Sequence, residues 1–334
     1  MNDVDRKTAL SPGVIARVVF FLICLLLLPV TVAGYVLWIA RAYAGRASGV
    51  SRTAQGPLSA RWFQHRLGVR RDEPAHRLLM VLPGVSPLAV RLVFGPMLLA
   101  HRLSGYVPQA FRYPFDGEIT LQNQASARQT FYDSVVDRYL TGVPQFVILG
   151  AGFDTRAFRL PEGTHVRSFE VDTPKTLAIA QEVLRRADLD AGSVTFVSAD
   201  FEREDWLVRL VESGFDATRP ALFLWEGVTP YLERAAVAAT LQKISSTAPG
   251  SVVAFDYVTT ELLESRSLYL RAVRASLRAG GEPLKFGVDS TPPSSEHLAE
   301  LLRSCGLAIA EQRTLGTETN GRRAWGGFGV AVVR

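Results

Sequence analysis

The stretch Gln145-Phe-Val-Ile-Leu-Gly-Ala-Gly-Phe-Asp-Thr-Arg-Ala-Phe-Arg-Leu160 decides the fold of this chain. It begins with an uncharged run of β-formers, residues 146–149, and breaks at Gly150 and Gly152. A strand that ends on glycines before a helix brings bare backbone N–H groups to a nucleotide-like ligand, because glycine permits the tight turn and has no Cβ to hold the ligand away. Gly-X-Gly alone fits a buried strand that merely turns equally well, so the rest of the chain has to decide.

Strands and helices alternate after residue 145. The predicted strands cover residues 146–149, 166–171, 194–198, 221–225, 251–257, 307–313 and 324–333, and the predicted helices cover 174–186, 205–212, 233–246, 261–278 and 294–305. This alternation predicts an α/β fold with a mostly parallel sheet and helices on both faces. Ligands of such sheets bind beyond the carboxyl ends of the strands.

Three acidic residues come at the ends of three successive predicted strands. Asp172 follows the glycine turn by about 20 residues, where a carboxylate can accept hydrogen bonds from ribose hydroxyls. Asp200 with Phe201 suits an adenine, because the carboxylate can accept from the exocyclic amine while the base stacks on apolar atoms. Glu226 would face the centre of the cleft, close to any positive charge on the ligand. Each residue alone fits a solvated loop, but the three together, in register with the glycine turn, favour a binding site.

The residues after the glycines indicate which ligand binds. Thr155 stands where a dinucleotide motif would have its third glycine, and Asp154 puts a negative charge where a pyrophosphate would lie. That charge would repel a phosphate but suits an ammonium or sulfonium group. S-adenosylmethionine carries both groups and no phosphate, so the sequence predicts a methyl donor.

Four blocks in this order resemble the leucine carboxyl methyltransferase-like family, in its bacterial, actinobacterial-type branch of S-adenosylmethionine-dependent O-methyltransferases. They are Leu149–Arg156, Phe169–Pro174, Ala199-Asp200 and Glu226–Leu232, and the similarity extends from about residue 51 to the C-terminus. The resemblance implies a class I, Rossmann-like methyltransferase sheet of seven strands, the last one antiparallel.

Site residues follow from the same resemblance, position by position. It implies that Arg128 pairs with the methionine carboxylate of the cofactor, and that Arg61 is a weaker match to a basic lid residue. The remaining implied contacts are Gly150 and Gly152 with the methionine part, Asp172 with the ribose, Asp200 and Phe201 with the adenine, and Glu226 with the methionine amino group. With Asp154 from the charge argument, these residues are the predicted cofactor site, and no catalytic residue or metal ligand is predicted.

An uncharged segment of 23 residues, 18–40, lies near the N-terminus between Arg17 and Arg41. As one helix it would be about 34 Å long, enough to cross a bilayer. The sequence therefore predicts a tail (1–17), a single transmembrane anchor (18–40), a basic linker and apolar lid segment (41–120) and a methyltransferase domain (121–334). A signal peptide cleaved near residues 42–44 is the alternative. The apolar residues 78–100 are broken by prolines and predict a lid, a segment at the headgroup level or plain packing on the domain.

Charge is unevenly distributed along the chain. Up to Arg112 there are fourteen Lys or Arg and four Asp or Glu, whereas the remainder is net acidic. This distribution argues against a nucleic-acid partner and favours anionic lipid beside the anchor, with a cytoplasmic domain by the positive-inside rule. The two cysteines, Cys24 and Cys305, make no metal or disulfide pattern.

Two further functional classes stay open beside the membrane-anchored O-methyltransferase, whose acceptor would be a small or lipid-like carboxylate or alcohol. One is a membrane-tethered binding module that keeps the fold without catalysis. The other is a nicotinamide-dependent oxidoreductase, which Asp154 and Thr155 disfavour.

Overall fold

The computed structural model describes residues 13–44, 52–161, 163–279 and 281–334. Seven strands form one sheet: β1 (Gln145–Leu149), β2 (Arg167–Asp172), β3 (Val194–Ser198), β4 (Ala221–Trp225), β5 (Val252–Val258), β6 (Leu307–Leu315) and β7 (Gly326–Val333). Twelve α-helices lie in the described residues: α1 (Val14–Leu26), α2 (Leu28–Ala44), α3 (Arg52–Arg66), α4 (Glu73–Val81), α5 (Pro87–Ser104), α6 (Gln124–Tyr139), α7 (Pro174–Arg186), α8 (Trp206–Glu212), α9 (Arg234–Ser245), α10 (Thr260–Glu264), α11 (Leu268–Ala279) and α12 (Ser294–Ser304).

The strand order in the sheet is β3-β2-β1-β4-β5-β7-β6. β1 to β5 pair in parallel, whereas β7 runs antiparallel to both β5 and β6. The predicted fold class, a mostly parallel seven-stranded sheet with an antiparallel last strand, is thereby confirmed. Every strand matches its predicted position to within two residues. The predicted helix 261–278 is two helices, α10 and α11.

Both faces of the sheet are buried, which is why its central strands are nearly continuous apolar runs. Alternate residues of β4 serve opposite faces: Phe223 and Trp225 join one apolar core, while Leu222 and Leu224 join the other. The second core is closed by Phe131 and Val135 of α6. The carboxyl ends of β1 to β5 therefore meet at one edge of the sheet, where the site is found.

The apolar N-terminal segment is not one helix. It forms α1 and α2, which meet at Leu27 with a bend of 59°. Pro29 explains the break, because proline has no N–H to donate and its ring clashes with the carbonyl four residues earlier, that of Leu25. Among the described residues no single helix meets the length and hydropathy needed to cross a bilayer, and the bent pair meets them only by length and composition. The expected single helix over residues 18–40 is therefore wrong in form.

The apolar residues 78–100 form the end of α4 and most of α5. Leu78, Leu79 and Val90 are buried in a third apolar core shared with α3 and α7, and α1 and α2 pack on α5 from the other side. Of the three alternatives given for residues 78–100, packing on the domain therefore describes most of the segment. The predicted domain boundaries stay a prediction, and the tail before residue 13 and the linker residues 45–51 lie outside the described residues.

Candidate functional site

One cavity of about 650 Å³ lies at the carboxyl ends of the parallel strands. All eight residues of the predicted cofactor site line it: Arg128, Gly150, Gly152, Asp154, Asp172, Asp200, Phe201 and Glu226. The weaker match Arg61, on α3, lines it as well. The structure thus brings together predicted site residues that are up to 98 positions apart in the sequence. Their contacts with a cofactor stay a prediction.

The glycine turn after β1 is a close-packed cradle. Gly150 has φ +68°, and a Cβ on it would lie 2.3 Å from Cγ2 of Val228. Gly152 also has a positive φ, +53°, and its N–H donates to Oδ2 of Asp172 at 2.9 Å. Only glycine adopts this backbone without strain, so the turn and the end of β2 form one rigid wall.

Asp172 is the last residue of β2 and is 9% exposed. Burial raises the pKa of its carboxyl, while the N–H donors of Gly152 and Thr173 act in the opposite direction. Its Oδ1 accepts from the Thr173 N–H at 2.7 Å. A carboxylate fixed by backbone donors has defined remaining lone pairs, which suits two neighbouring hydroxyls.

Asp200 and Phe201 lie at the more open end of the cavity, beyond β3. Oδ1 of Asp200 accepts from the Glu202 N–H at 2.9 Å, which stabilises the turn. The ring of Phe201 packs near Trp206 and Trp225, with centroids 6.2 and 6.5 Å apart. The phenyl face is therefore held at the wall where a planar base could stack.

Asp154 does not present a free negative charge to the cavity. Its Oδ2 accepts from Arg156 Nη1 at 2.5 Å and from Arg61 Nη2 at 3.2 Å, and its Oδ1 accepts from the Arg156 N–H. Burial alone would raise its pKa, but the two guanidinium groups outweigh burial and lower the pKa of Asp154 to about 2. The attraction of a cationic ligand by this residue stays a prediction, and it would have to act beside two arginines that share the carboxylate. Asp154 also fastens α3 to the loop after β1.

Glu226 shares the same two arginines but keeps one oxygen free. Its Oε2 accepts from Arg156 Nη1 at 2.7 Å and from Arg61 Nη2 at 3.1 Å. Its Oε1 is buried and finds no hydrogen-bond partner among the described residues. A buried acceptor without a donor costs free energy, so this atom is placed to accept a hydrogen bond from a ligand group or a water in the cavity.

Gln129, on α6, completes the network around the arginines. Its Oε1 accepts from Arg61 Nε at 3.0 Å and from Arg156 Nη2 at 3.2 Å. Arg156 also donates to Asp133 Oδ1 at 2.9 Å. The sequence interpretation missed this network. Nothing in a single sequence indicates that Asp154 and Arg156, which follow the glycines, pair with each other and with Arg61 of α3 or Gln129 of α6.

Asp256, near the end of β5, is a site residue that the sequence interpretation also missed. Its Oδ2 pairs with Arg128 Nη2 at 2.9 Å, and its Oδ1 accepts from the Gly227 N–H at 2.6 Å. Burial raises the pKa of this carboxyl, whereas Arg128 and the Gly227 N–H act to lower it. The signal was present: Asp256 comes at the end of a predicted strand, as Asp172 and Glu226 do.

The strand order, the glycine turn after β1 and the acidic residue ending β2 together define a Rossmann-like nucleotide-binding fold of the methyltransferase type. The leucine carboxyl methyltransferase family profile matches residues 115–245, which contain most of these features.

Sequence relatives identify the family more closely. A Mycolicibacterium smegmatis protein named "Putative S-adenosyl-L-methionine-dependent methyltransferase" is 35% identical over 221 residues, which are 64% of this chain and 68% of that protein. A Mycobacteroides abscessus protein of the same name is 42% identical over 129 residues, 38% of this chain and 43% of that protein. The chain belongs to this family of S-adenosylmethionine-dependent methyltransferases.

The alignments with several relatives span only about half of their length, so the activity, acceptor and partners of the whole protein are matters of proposal. Among solved structures, a DUF574 family protein from Streptomyces avermitilis matches with a TM-score of 0.45 and 15% identity, covering 83% of this chain and 97% of that one.

Proposed function

We propose that this protein transfers the methyl group of S-adenosylmethionine to a carboxylate or hydroxyl oxygen of a small or lipid-like acceptor. The observation that carries the proposal is the buried Oε1 of Glu226: this residue lines the cavity, and no described residue donates to that atom. The ammonium of the methionine part supplies such a donor. The neighbouring guanidinium of Arg128 complements the methionine carboxylate at the same end.

The remaining lining fits the rest of the cofactor. The turn at Gly150 has no space for a side chain, because an added Cβ would meet Val228, so its bare backbone faces the cavity. Asp172 offers fixed acceptor lone pairs for the ribose. Asp200 and Phe201 offer an acceptor and an aromatic face for the adenine. A dinucleotide would place its pyrophosphate at this same turn. In the part of the chain that the structure describes, the cations that line the cavity are Arg61 and Arg128, and both already pair with carboxylates.

The cofactor supplies an electrophilic methyl group bound to a sulfonium sulfur. The protein's task is then to hold the acceptor oxygen in line at near-attack distance. None of the five histidines lines the cavity as the structure describes it. A carboxylate acceptor is already ionised near neutral pH and needs no base, whereas an alcohol would need one.

Calorimetric titration with S-adenosylmethionine tests the cofactor half of the proposal. We expect wild type to bind, and Asp172→Ala and Asp200→Ala to bind at least tenfold more weakly. Transfer of labelled methyl to an extract of the source membranes then separates the enzyme from a binding module. Binding that is unaffected by both substitutions, or absent from wild type, would contradict the proposal.

We also propose that α1 and α2 attach the protein to the cytoplasmic face of a membrane. Large apolar side chains of both helices are more than half exposed, among them Phe21, Leu25 and Val36. No acidic residue lies between Asp5 and Asp72, so the charges around these helices are cationic and complement anionic lipid headgroups. Flotation with anionic vesicles should carry the full chain, and a chain beginning after residue 51 should stay behind. Equal flotation of the two would exclude these helices as the attachment.

A further inference from the structure

The cavity extends past the residues that fit a cofactor. Its polar lining comes mainly from the ends of β3, β2, β1 and β4 and from Asp256 of β5, whereas the residues at the very end of β5 and beside β7 and β6 are mostly apolar. These apolar residues, with those of α10 and α11 above them, are Val258, Leu262, Leu270, Leu277, Leu284 and Trp325. We refer to this part of the cavity as the apolar chamber. Because strand order separates the two linings, the chamber is a second compartment of one cavity.

The helix α11 covers the chamber with its apolar face. Leu270 and Leu277 are seven residues apart, about two helical turns, so both point to the cavity. Arg271 and Arg278 follow them on the exposed side. This amphipathic pattern is the one expected for a helix that separates an apolar interior from water.

Arg274 fastens α11 in place. Its Nη1 donates to the carbonyl of Leu262 at 2.8 Å, and its Nη2 donates to the carbonyl of Ser265 at 2.6 Å. The guanidinium thus ties the middle of α11 to α10 and to the loop after it, and Arg274 does not line the cavity. The covering helix is held by polar contacts outside the chamber. The chamber lining is mostly apolar, and Glu282, between Leu277 and Leu284 in the chain, adds one carboxylate to the cavity lining.

Charge complementarity restricts what the chamber can hold. The cations that line the cavity in the described residues are Arg61 and Arg128, and both are ion-paired on the cofactor side. An anionic acceptor body would lose its hydration among these apolar side chains and would meet the Glu282 carboxylate instead of a cation, which costs free energy. An alkyl chain would instead gain by burial of each methylene.

We propose that the apolar chamber is the acceptor subsite and that it binds the alkyl chain of an amphiphile, with the reacting oxygen directed toward Glu226 and Tyr231 at the junction with the cofactor half. Both residues line the cavity at the end of β4, between the two linings. The inference rests on the proposed function, since the subsite must deliver an oxygen to the methyl group.

The test is equilibrium binding of matched alkanoates and alkan-1-ols, from hexanoate and hexanol to dodecanoate and dodecanol, to the full chain with S-adenosylhomocysteine present. We expect each added methylene to tighten binding about fourfold, the factor that corresponds to its burial. The series with the tighter affinity at equal chain length identifies carboxylate or hydroxyl as the reacting group.

Two variants of the same helix provide the control. Leu270→Asp should weaken binding of dodecanoate and dodecanol at least tenfold, because Leu270 lines the chamber. Leu268→Asp should leave it unchanged, because Leu268 is 80% exposed and does not line the cavity. Circular dichroism verifies that both variants keep the wild-type fold.

Parallel titration with S-adenosylmethionine separates this inference from the proposed function. Leu270→Asp should keep the wild-type affinity for the cofactor. If wild type does not bind the cofactor, the proposed function fails. The chamber is still supported as an alkyl site if affinity increases with alkyl chain length in wild type and this dependence is lost only in Leu270→Asp. Affinity independent of chain length, or equal losses in the two variants, would overturn the subsite.

Discussion

Asp256 and Arg128 form an ion pair of 2.9 Å that joins the end of β5 to α6 across the floor of the cavity. The Arg128 side chain is 25% exposed, whereas that of Asp256 is 5% exposed. The carboxylate therefore acts as a buried anchor, and the guanidinium retains donors that face the cavity. Asp256 thereby orients the group that would hold the methionine carboxylate.

Asp256→Asn should weaken the binding of S-adenosylmethionine about tenfold or more, because a charge-assisted hydrogen bond that fixes Arg128 is worth about 1.5–3 kcal/mol. The measurement is calorimetry. Arg138→Ala on the same helix is the control, since its pair with Glu311 is exposed and remote from the cavity. Equal losses in the two variants would assign the effect to α6 stability.

Glu226→Gln should weaken the binding of the methionine end of the cofactor and leave the binding of its adenosine end unchanged. The amide is uncharged, and its single acceptor oxygen can face either the two arginines or the methionine ammonium but not both, so we expect affinity for S-adenosylmethionine to fall at least tenfold. Affinity for methylthioadenosine, which lacks the amino-acid part, should stay within twofold of wild type. Asp172→Asn should weaken both ligands alike, because both carry the ribose. If Glu226→Gln also weakened both alike, Glu226 would be stabilising the pocket instead of contacting the ammonium.

Glu170 should make the stability of the folded protein depend on pH. It lies in β2, is 2% exposed, and its Oε1 has no partner in the described residues. Burial, together with Asp154 and Asp172, raises the pKa of Glu170 well above its ordinary range. The folded state then keeps a proton that the unfolded chain loses above about pH 4.3, so the contribution of Glu170 to stability falls as pH rises from there toward its folded pKa.

Glu170→Gln removes that proton linkage. We compare the free energy of unfolding of Glu170→Gln with that of wild type. The variant's advantage should increase by on the order of 1 kcal/mol per pH unit between pH 5 and 7. Urea denaturation at the two pH values measures it. Any free-energy cost of fitting the amide into the fold is the same at both pH values. The prediction is therefore tested by how the free-energy difference changes with pH. Glu300→Gln, exposed on α12, should show no such slope, and parallel behaviour of the two variants would contradict an uncharged Glu170.

Much of the sheet and the cavity could be predicted from the sequence, because both depend on local patterns. Apolar runs such as residues 221–225 give the strands, and the residues that follow them must meet at one edge. The same rule applied to the fifth strand would have found Asp256. The ion pairs of Asp154 and Glu226 with Arg61 could not be predicted, because Arg61 lies 93 residues before Asp154 and 165 before Glu226, and its position depends on tertiary packing.

The bend at Leu27 shows another feature that the sequence predicts only in part. Pro29 indicates a break, but whether a broken apolar segment crosses a bilayer or packs on the domain depends on a surface elsewhere in the chain. Here α5 supplies that surface. Gly34 of α2 lies so close that an added Cβ would be 2.7 Å from the backbone nitrogen of Val93 and 2.8 Å from Cβ of Leu92.

Gly34→Ala and Gly95→Ala should consequently act in opposite directions although both put alanine inside a helix. Gly95, on α5, has no atom within 4 Å of an added Cβ, so alanine should stabilise by about 0.5–1 kcal/mol through helix propensity. Gly34→Ala must push α2 off α5, and overpacking of this kind costs about 1–3 kcal/mol. Hydrogen exchange of the α2 amides, followed by mass spectrometry, should accelerate in Gly34→Ala and slow or stay equal in Gly95→Ala. If exchange in α2 were the same in wild type and Gly34→Ala, the close contact of α2 with α5 would not exist in solution.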